Sequence, residues 1–277
     1  MSATVPSTSD LLRVPGAQLH HEVRGYGPVV ALVGAPMGAG AFEPLADLLA
    51  ADHTVLTTDP RGIDRSPLDD PEQDSTPELR ADDLSRLLTH LDAGPAAVVG
   101  SSGGAVTALA LAQAHPEQVH TVIAHEPPLE ELLEDRERRR AATEDIIATY
   151  LEHGSGPAWG RFLAEAGITM PEGEGPGGPP EATERDPQEI ADERRFFLHE
   201  LRPTAHWVPD LDALRAVATR IVVGIGEASG GQTCDLTSRA LADALGTEPV
   251  LFPGGHTGFV EDPGAFAAML RTVLPGG

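Results

Sequence analysis

A serine framed by glycines is the first feature of this chain able to do chemistry. In the stretch "VVGSSGGAV", residues 98–106, Gly100-Ser101-Ser102-Gly103-Gly104 fits the pattern Gly-x-Ser-x-Gly in one frame only, with Ser102 central. A strand-like apolar run precedes it and a helix-like apolar run, "AVTALALAQAH", follows; that context gives the pattern its meaning. A serine at so sharp a corner projects its hydroxyl past the carboxyl end of the strand. The residues two before and two after it must be tiny, because a Cβ there would collide with the turn. The helix start behind it offers free N–H groups and the positive end of a dipole, both favourable to a developing oxyanion. Serine is a weak nucleophile until a base takes its proton, so an imidazole must come from elsewhere in the chain.

The elements that would hold such a corner alternate. "LLRVP" and "QLHHEVRG" read as an opening antiparallel pair, and "VVALVG" (29–34) and "HTVLTTD" (53–59) as buried strands. "PELRADDLSRLLTHLDAG" (77–94) carries apolar residues at helical spacing and stops on a glycine. The strand "AAVVG", the helix from Gly104 to about His115 and the strand "TVIAHE" (121–126) follow. Late in the chain "DALRAVA", "RIVVGIG", "LTSRALADALG", "PVLFPGG" and "DPGAFAAMLRTVL" continue helix, strand, helix, strand, helix. Continuous apolar strands between amphipathic helices predict an α/β fold, a mostly parallel central sheet covered by helices on both faces.

Residues 127–208 break the rhythm. They open on Pro-Pro, include the segment 171–187, too rich in Pro and Gly for regular structure, and hold six of the eleven aromatics. The expected organisation is a core of residues 1–126 and 209–277 with a helical lid inserted at 127–208. A lid would turn Trp159, Phe197 and Trp207 to a substrate; a small satellite core is the competing use of the same aromatics. His199, Glu200 and His206 are further polar candidates there.

A glycine-rich nucleotide loop is the rival for this chemistry. Gly34, Gly38 and Gly40 in "VGAPMGAG" have the spacing of a short-chain dehydrogenase fingerprint. That family also needs a Tyr-x-x-x-Lys pair, and all 19 basic residues of this chain are Arg. The absence of Lys also removes Schiff-base chemistry and a P-loop lysine.

The chain resembles the α/β-hydrolase fold family over nearly its whole length apart from the lid. "VALVGAPMG" resembles the strand-three turn usually written His-Gly-x-Pro, with Val33 in place of the His. "TTDPRGIDRS" (57–66) resembles the Asp-x-Arg-Gly-x-Gly-x-Ser loop, with Asp64 replacing the second Gly. "VVGSSGGAV" resembles the nucleophile elbow, and "FPGGHTGFVEDPGAF" (252–266) the turn after the last strand that carries the catalytic His. "AHEPPL" is similar to a group of uncharacterised actinobacterial hydrolases.

The resemblance implies Ser102 as nucleophile, His256 as base, and the N–H groups of Gly103 and Ala35 as oxyanion hole. The acid is displaced. Many members carry an Asp three residues after the Gly that ends strand seven, and here that position is Ser229. Glu126 at the end of strand six, Glu227 and Asp235 remain as candidates, with Glu126 preferred and a helix cap as the plain alternative for Asp235. Asp59 and Arg61 are expected to brace loops, and strand alternation points His125 away from Glu126.

The expected activity is a serine hydrolase cleaving an ester or lactone of a small apolar substrate through an acyl-enzyme. Carbon–carbon hydrolysis of a diketone and a non-hydrolytic binding or cyclisation protein are the alternatives. A Ser nucleophile disfavours the halide- and epoxide-opening branches, which use Asp. No cofactor or metal is implied: one Cys, Cys234, allows no disulfide framework, and no Cys/His cluster has zinc-ligand spacing. The formal net charge of −24 repels phosphate backbones and anionic lipid. The partners expected are therefore a small-molecule substrate and neither nucleic acid nor membrane, with a homodimer left open. The first residues, "MSATVPSTSDLLRVPG", lack the charge and apolar core of a signal peptide, which predicts a cytoplasmic protein.

Overall fold

The structure, a computed structural model, describes residues 6–168 and 185–274. In chain order the elements are β1 (Ser7–Val14), β2 (Ala17–Arg24), β3 (Val29–Val33), α1 (Glu43–Leu49), β4 (Thr54–Thr58), α2 (Pro77–His90), β5 (Ala96–Ser101), α3 (Gly103–Ala114) and β6 (Val119–His125). There follow α4 (Arg136–His153), α5 (Ser155–Ala166), α6 (Pro187–Arg195), α7 (Leu201–Ala205) and α8 (Leu211–Ala216). β7 (Arg220–Gly226), α9 (Thr233–Leu245), β8 (Val250–Phe252), α10 (Gly258–Glu261) and α11 (Pro263–Val273) complete the chain.

The strands form one eight-stranded sheet in the order β1-β2-β4-β3-β5-β6-β7-β8. β1 pairs antiparallel with β2 and β2 with β4; every other pairing is parallel. The inner strands are apolar along their whole length because both faces are covered. One face packs on α2, α3 and α9 through residues such as Leu84, Leu109 and Leu241. The other packs on α1 and α11 through Leu45, Phe266 and Leu270. Every residue of α3 from Gly103 to Ala112 is buried, so this helix shows no polar stripe. The start of α2 is set by Pro77 in its first turn and by the Thr76 hydroxyl, which accepts from the Leu79 N–H.

Between β6 and β7, helices α4 to α7 enclose a small apolar core of their own, built on Ile146, Ile147, Ala158, Phe196, Phe197 and Leu201. Buried arginines tie these helices to the sheet domain. The Arg195 guanidinium donates to the carbonyls of Arg61 and Gln73, and Arg80 donates to the Thr204 hydroxyl. Most of segment 171–187 lies outside the described residues; its last residue, Pro187, opens α6. No helix among the described residues is long and apolar enough to cross a membrane.

Parallel pairing brings the strand ends to one edge. Ser101 lies opposite His125 in the β5–β6 pair, and Gly226 opposite Phe252 in the β7–β8 pair. Ser102 and Glu126 are therefore the first residues past two neighbouring strands, and His256 follows the last strand within one short turn. An open parallel sheet gathers its functional groups at this carboxyl edge.

Candidate active site

Ser102 sits at φ 56°, ψ −125° between β5 and α3. A side chain held there costs about 1–3 kcal/mol, which the surrounding structure must offset. Its flanking glycines permit the turn. A Cβ on Gly100 would come 2.3 Å from the Gly104 carbonyl oxygen, and one on Gly104 would come 2.1 Å from that of Val33. The two serines of the corner differ sharply. The Ser101 hydroxyl is buried and 3.2 Å from His125 Nδ1, whereas Ser102 is partly exposed.

Beside this corner a carboxylate and an imidazole meet. Glu126 Oε2 lies 2.6 Å from His256 Nδ1. The other oxygen, Oε1, accepts from the Gly226 N–H at 2.8 Å, so the carboxylate is fixed from two sides. Glu126 is fully buried and itself takes a left-handed backbone, φ 53°, directly after β6. Burial works to raise its carboxyl, but the hydrogen bond and charge of His256 outweigh burial and hold it at about 2. For His256, burial works to lower the imidazole. Its contacts with Cys234 and then with Glu126 work the other way and raise it. The contact with Cys234, in the first turn of α9, was not foreseen from the sequence. Among the described residues Ser102 and His256 are not joined by a hydrogen bond.

The remaining acid candidates are otherwise engaged. Asp235 accepts from the Gly231 N–H and from Arg239, at 2.8 and 2.7 Å, and so shapes the loop before α9. Glu227 is exposed. Ser229 is fully buried beside Glu126. His125 packs edge-on against Phe252 and Phe266 on the opposite face of its strand, where burial pushes it down to about 4.

Two backbone segments face one another next to Ser102. A Cβ on Gly103 would meet the carbonyl oxygen of Ala35 at 2.6 Å and its Cβ at 3.0 Å. Neither the Gly103 nor the Ala35 N–H makes a hydrogen bond among the described residues. Asp59 holds the loop after β3 in place: its Oδ1 accepts from the Ala39 N–H at 2.7 Å, and Arg65 donates to Oδ2 at 2.8 Å. Arg61 grips Asp83 with two 2.7 Å bonds. Asp64 adopts φ 47°, the left-handed conformation for which a glycine was expected, and Asp is one of the few residues that tolerate it.

The aromatics expected to face a substrate are placed otherwise. Phe197 is fully buried, stacked on Tyr150. Trp159 stacks on Phe196 at 5.1 Å and donates its N–H to Glu193. Trp207 joins the main core and donates to Glu78. Aromatic area is more effectively removed from water by mutual packing, so Trp159 and Phe197 build a satellite core and Trp207 joins the main one. A cavity lined by Val33, Gly34, Asp59, Arg61, Arg80 and Thr107 lies behind the turn after β3 and includes neither Ser102 nor His256.

The sequence profile of the alpha/beta hydrolase fold family matches residues 27–165. An uncharacterized hydrolase of Bacillus subtilis (strain 168), YraK, is 34% identical over 276 residues, 95% of this chain and 94% of that one. The chain belongs to the alpha/beta hydrolase fold family. Solved structures of that fold superpose along nearly the whole length. Est816, described as an N-acyl homoserine lactone degrading enzyme, gives a TM-score of 0.70 at 20% identity, covering 96% of this chain and 100% of that one. A thermophilic esterase from Thermogutta terrifontis gives 0.67 at 21% identity, covering 96% and 97%.

Proposed function

We propose that this alpha/beta hydrolase cleaves the ester or lactone bond of a small apolar substrate through an acyl-enzyme on Ser102. The observation that carries the reading is the pair of buried Glu126 and half-buried His256, 2.6 Å apart, at the same sheet edge as a serine held in a strained turn. His256 takes the proton of Ser102 as its Oγ attacks the carbonyl carbon, and then returns it to the leaving oxygen. Glu126 accepts a hydrogen bond from the Nδ1–H, which keeps Nε2 free to act as base and stabilises the imidazolium formed in each step. The developing oxyanion is met by the N–H groups of Gly103 and Ala35, each donor worth roughly 3 kcal/mol of transition-state stabilisation. Water then attacks the acyl-enzyme with the same imidazole as base. The strand-seven position vacated to Ser229 is compensated by Glu126 from the adjacent strand. The printed activities of the two structural neighbours, an esterase and a lactone-degrading enzyme, agree with this reaction class. The helices between β6 and β7 serve as lid, built round a core of their own and tied to the sheet domain by buried arginines.

Hydrolysis of p-nitrophenyl esters of graded chain length and of simple lactones tests the reading. Ser102→Ala should abolish turnover and Ser101→Ala should keep most of it, because the Ser101 hydroxyl is buried against His125. Equal losses in the two variants, with both folded, would remove Ser102 from its role.

A further inference from the structure

We propose that Glu126, Cys234 and His256 form a binding site for a thiophilic divalent cation, zinc in the first place, and that its occupation switches hydrolysis off. One donor atom from each of the three lies within 4.8 Å of the other two. Zinc takes thiolate sulfur at about 2.3 Å and imidazole nitrogen or carboxylate oxygen at about 2.0–2.2 Å in a tetrahedral array. Its donors therefore stand roughly 3.5 Å apart, a spacing that small side-chain rotations reach from the one observed. The three residues are far apart in the chain, which is why no zinc-like spacing is visible in the sequence. They meet because each follows a strand that ends at the same edge: Glu126 after β6, Cys234 between β7 and β8, and His256 after β8.

The donor chemistry favours zinc or cadmium over the hard cations. A thiolate ligand selects against magnesium and calcium, which take oxygen alone. A thiolate and a carboxylate together neutralise a doubly charged ion. Cys234 is the second residue of α9, a helix of 13 residues, so its position at the sheet edge is fixed by a regular element. Glu126 is already positioned through Oε1, leaving Oε2 directed at the cluster. Three protein donors leave a fourth position for water. On binding, Cys234 releases its thiol proton and a protonated His256 releases one as well; no electron is transferred. An imidazole whose lone pair is held by the metal cannot accept the Ser102 proton. This inhibitory consequence rests on the functional reading above; the metal site itself does not.

Two measurements separate these claims. In the first, zinc should abolish p-nitrophenyl acetate hydrolysis and a chelator should restore it. Cys234→Ala and Cys234→Ser, each compared with its own metal-free rate, should need at least about 10-fold more zinc, since losing even a group that only orients a ligand typically costs that much. In the second, Ser102→Ala protein titrated with cadmium should develop the ultraviolet thiolate-to-cadmium band, and the same protein carrying Cys234→Ser should not. Cys234 is the only thiol of the chain, so the band has one source. Absence of the band, activation by zinc, or equal zinc sensitivity of both Cys234 variants and the parent would overturn the inference. A cadmium band in a protein that hydrolyses no ester would uphold the site and sink the functional reading instead.

Discussion

Glu126 carries the sharpest expectation at the scale of single residues. Its carboxylate is the one that reaches His256, and Asp235 is committed to the Gly231 N–H and Arg239. Glu126→Gln should lower kcat by roughly 10⁴-fold, the loss seen when the acid of a serine-protease triad becomes an amide. Asp235→Asn should cost less than about tenfold, since it disturbs a loop and not the imidazole. Steady-state rates of the two purified variants decide between them; the reverse order would transfer the role to the loop before α9. Glu126 could be singled out in the sequence because Ser229 occupies the usual position of the acid and a carboxylate ends the neighbouring strand. The nearness of Cys234 to His256 could not, because it depends on how the loop before α9 folds over the edge. That loop's glycines, "ASGGQTC", fix no single path by their sequence.

Among the elements, the helices between β6 and β7 differ most from the expectation. Counting aromatics located them but could not say which way the rings face. Phe197, Trp159 and Phe196 satisfy one another, and the π-helical turn Phe196–Glu200 sets successive rings on one side. The parallel strands were legible because apolar runs bounded by glycine leave few alternatives, whereas α9 starts three residues earlier than its apolar spacing suggested, at Thr233. The same helices carry a pH-sensitive anchor. Glu130 lies at their entrance, with Oε2 buried and unpartnered and Oε1 4.0 Å from Arg139. Burial pushes its carboxyl up from 4.5 to about 7. The folded chain therefore holds this proton after the unfolded chain has lost it. The group costs nothing below pH 4.5, and its penalty grows as pH rises to about 7, where it levels at about 3 kcal/mol. Glu130→Gln removes the charge, so urea unfolding should find the variant more stable than the parent at pH 8 and nearly equal to it at pH 4. A constant difference across that range would show that Glu130 is not desolvated in the folded state.

For the whole molecule, one geometric fact organises the rest: Ala35, Ser102, Glu126 and His256 follow β3, β5, β6 and β8 at a single edge of the sheet. No two of these residues are close in sequence, and the parallel register alone assembles them. The acidic surface and the arginine-only basic set act around that frame. With no Lys in the chain, the buried ties between the sheet domain and the inserted helices are guanidinium forks, which bond several carbonyls at once and stay charged when buried. If this frame activates Ser102 and no other hydroxyl, covalent labelling will reveal it without knowledge of the natural substrate. The protein is treated with a fluorophosphonate, digested, and the adduct located by peptide mass spectrometry. Rapid stoichiometric labelling on Ser102 is expected, lost in Ser102→Ala and strongly slowed in Glu126→Gln. An adduct on Ser101, or no adduct in folded protein, would contradict it.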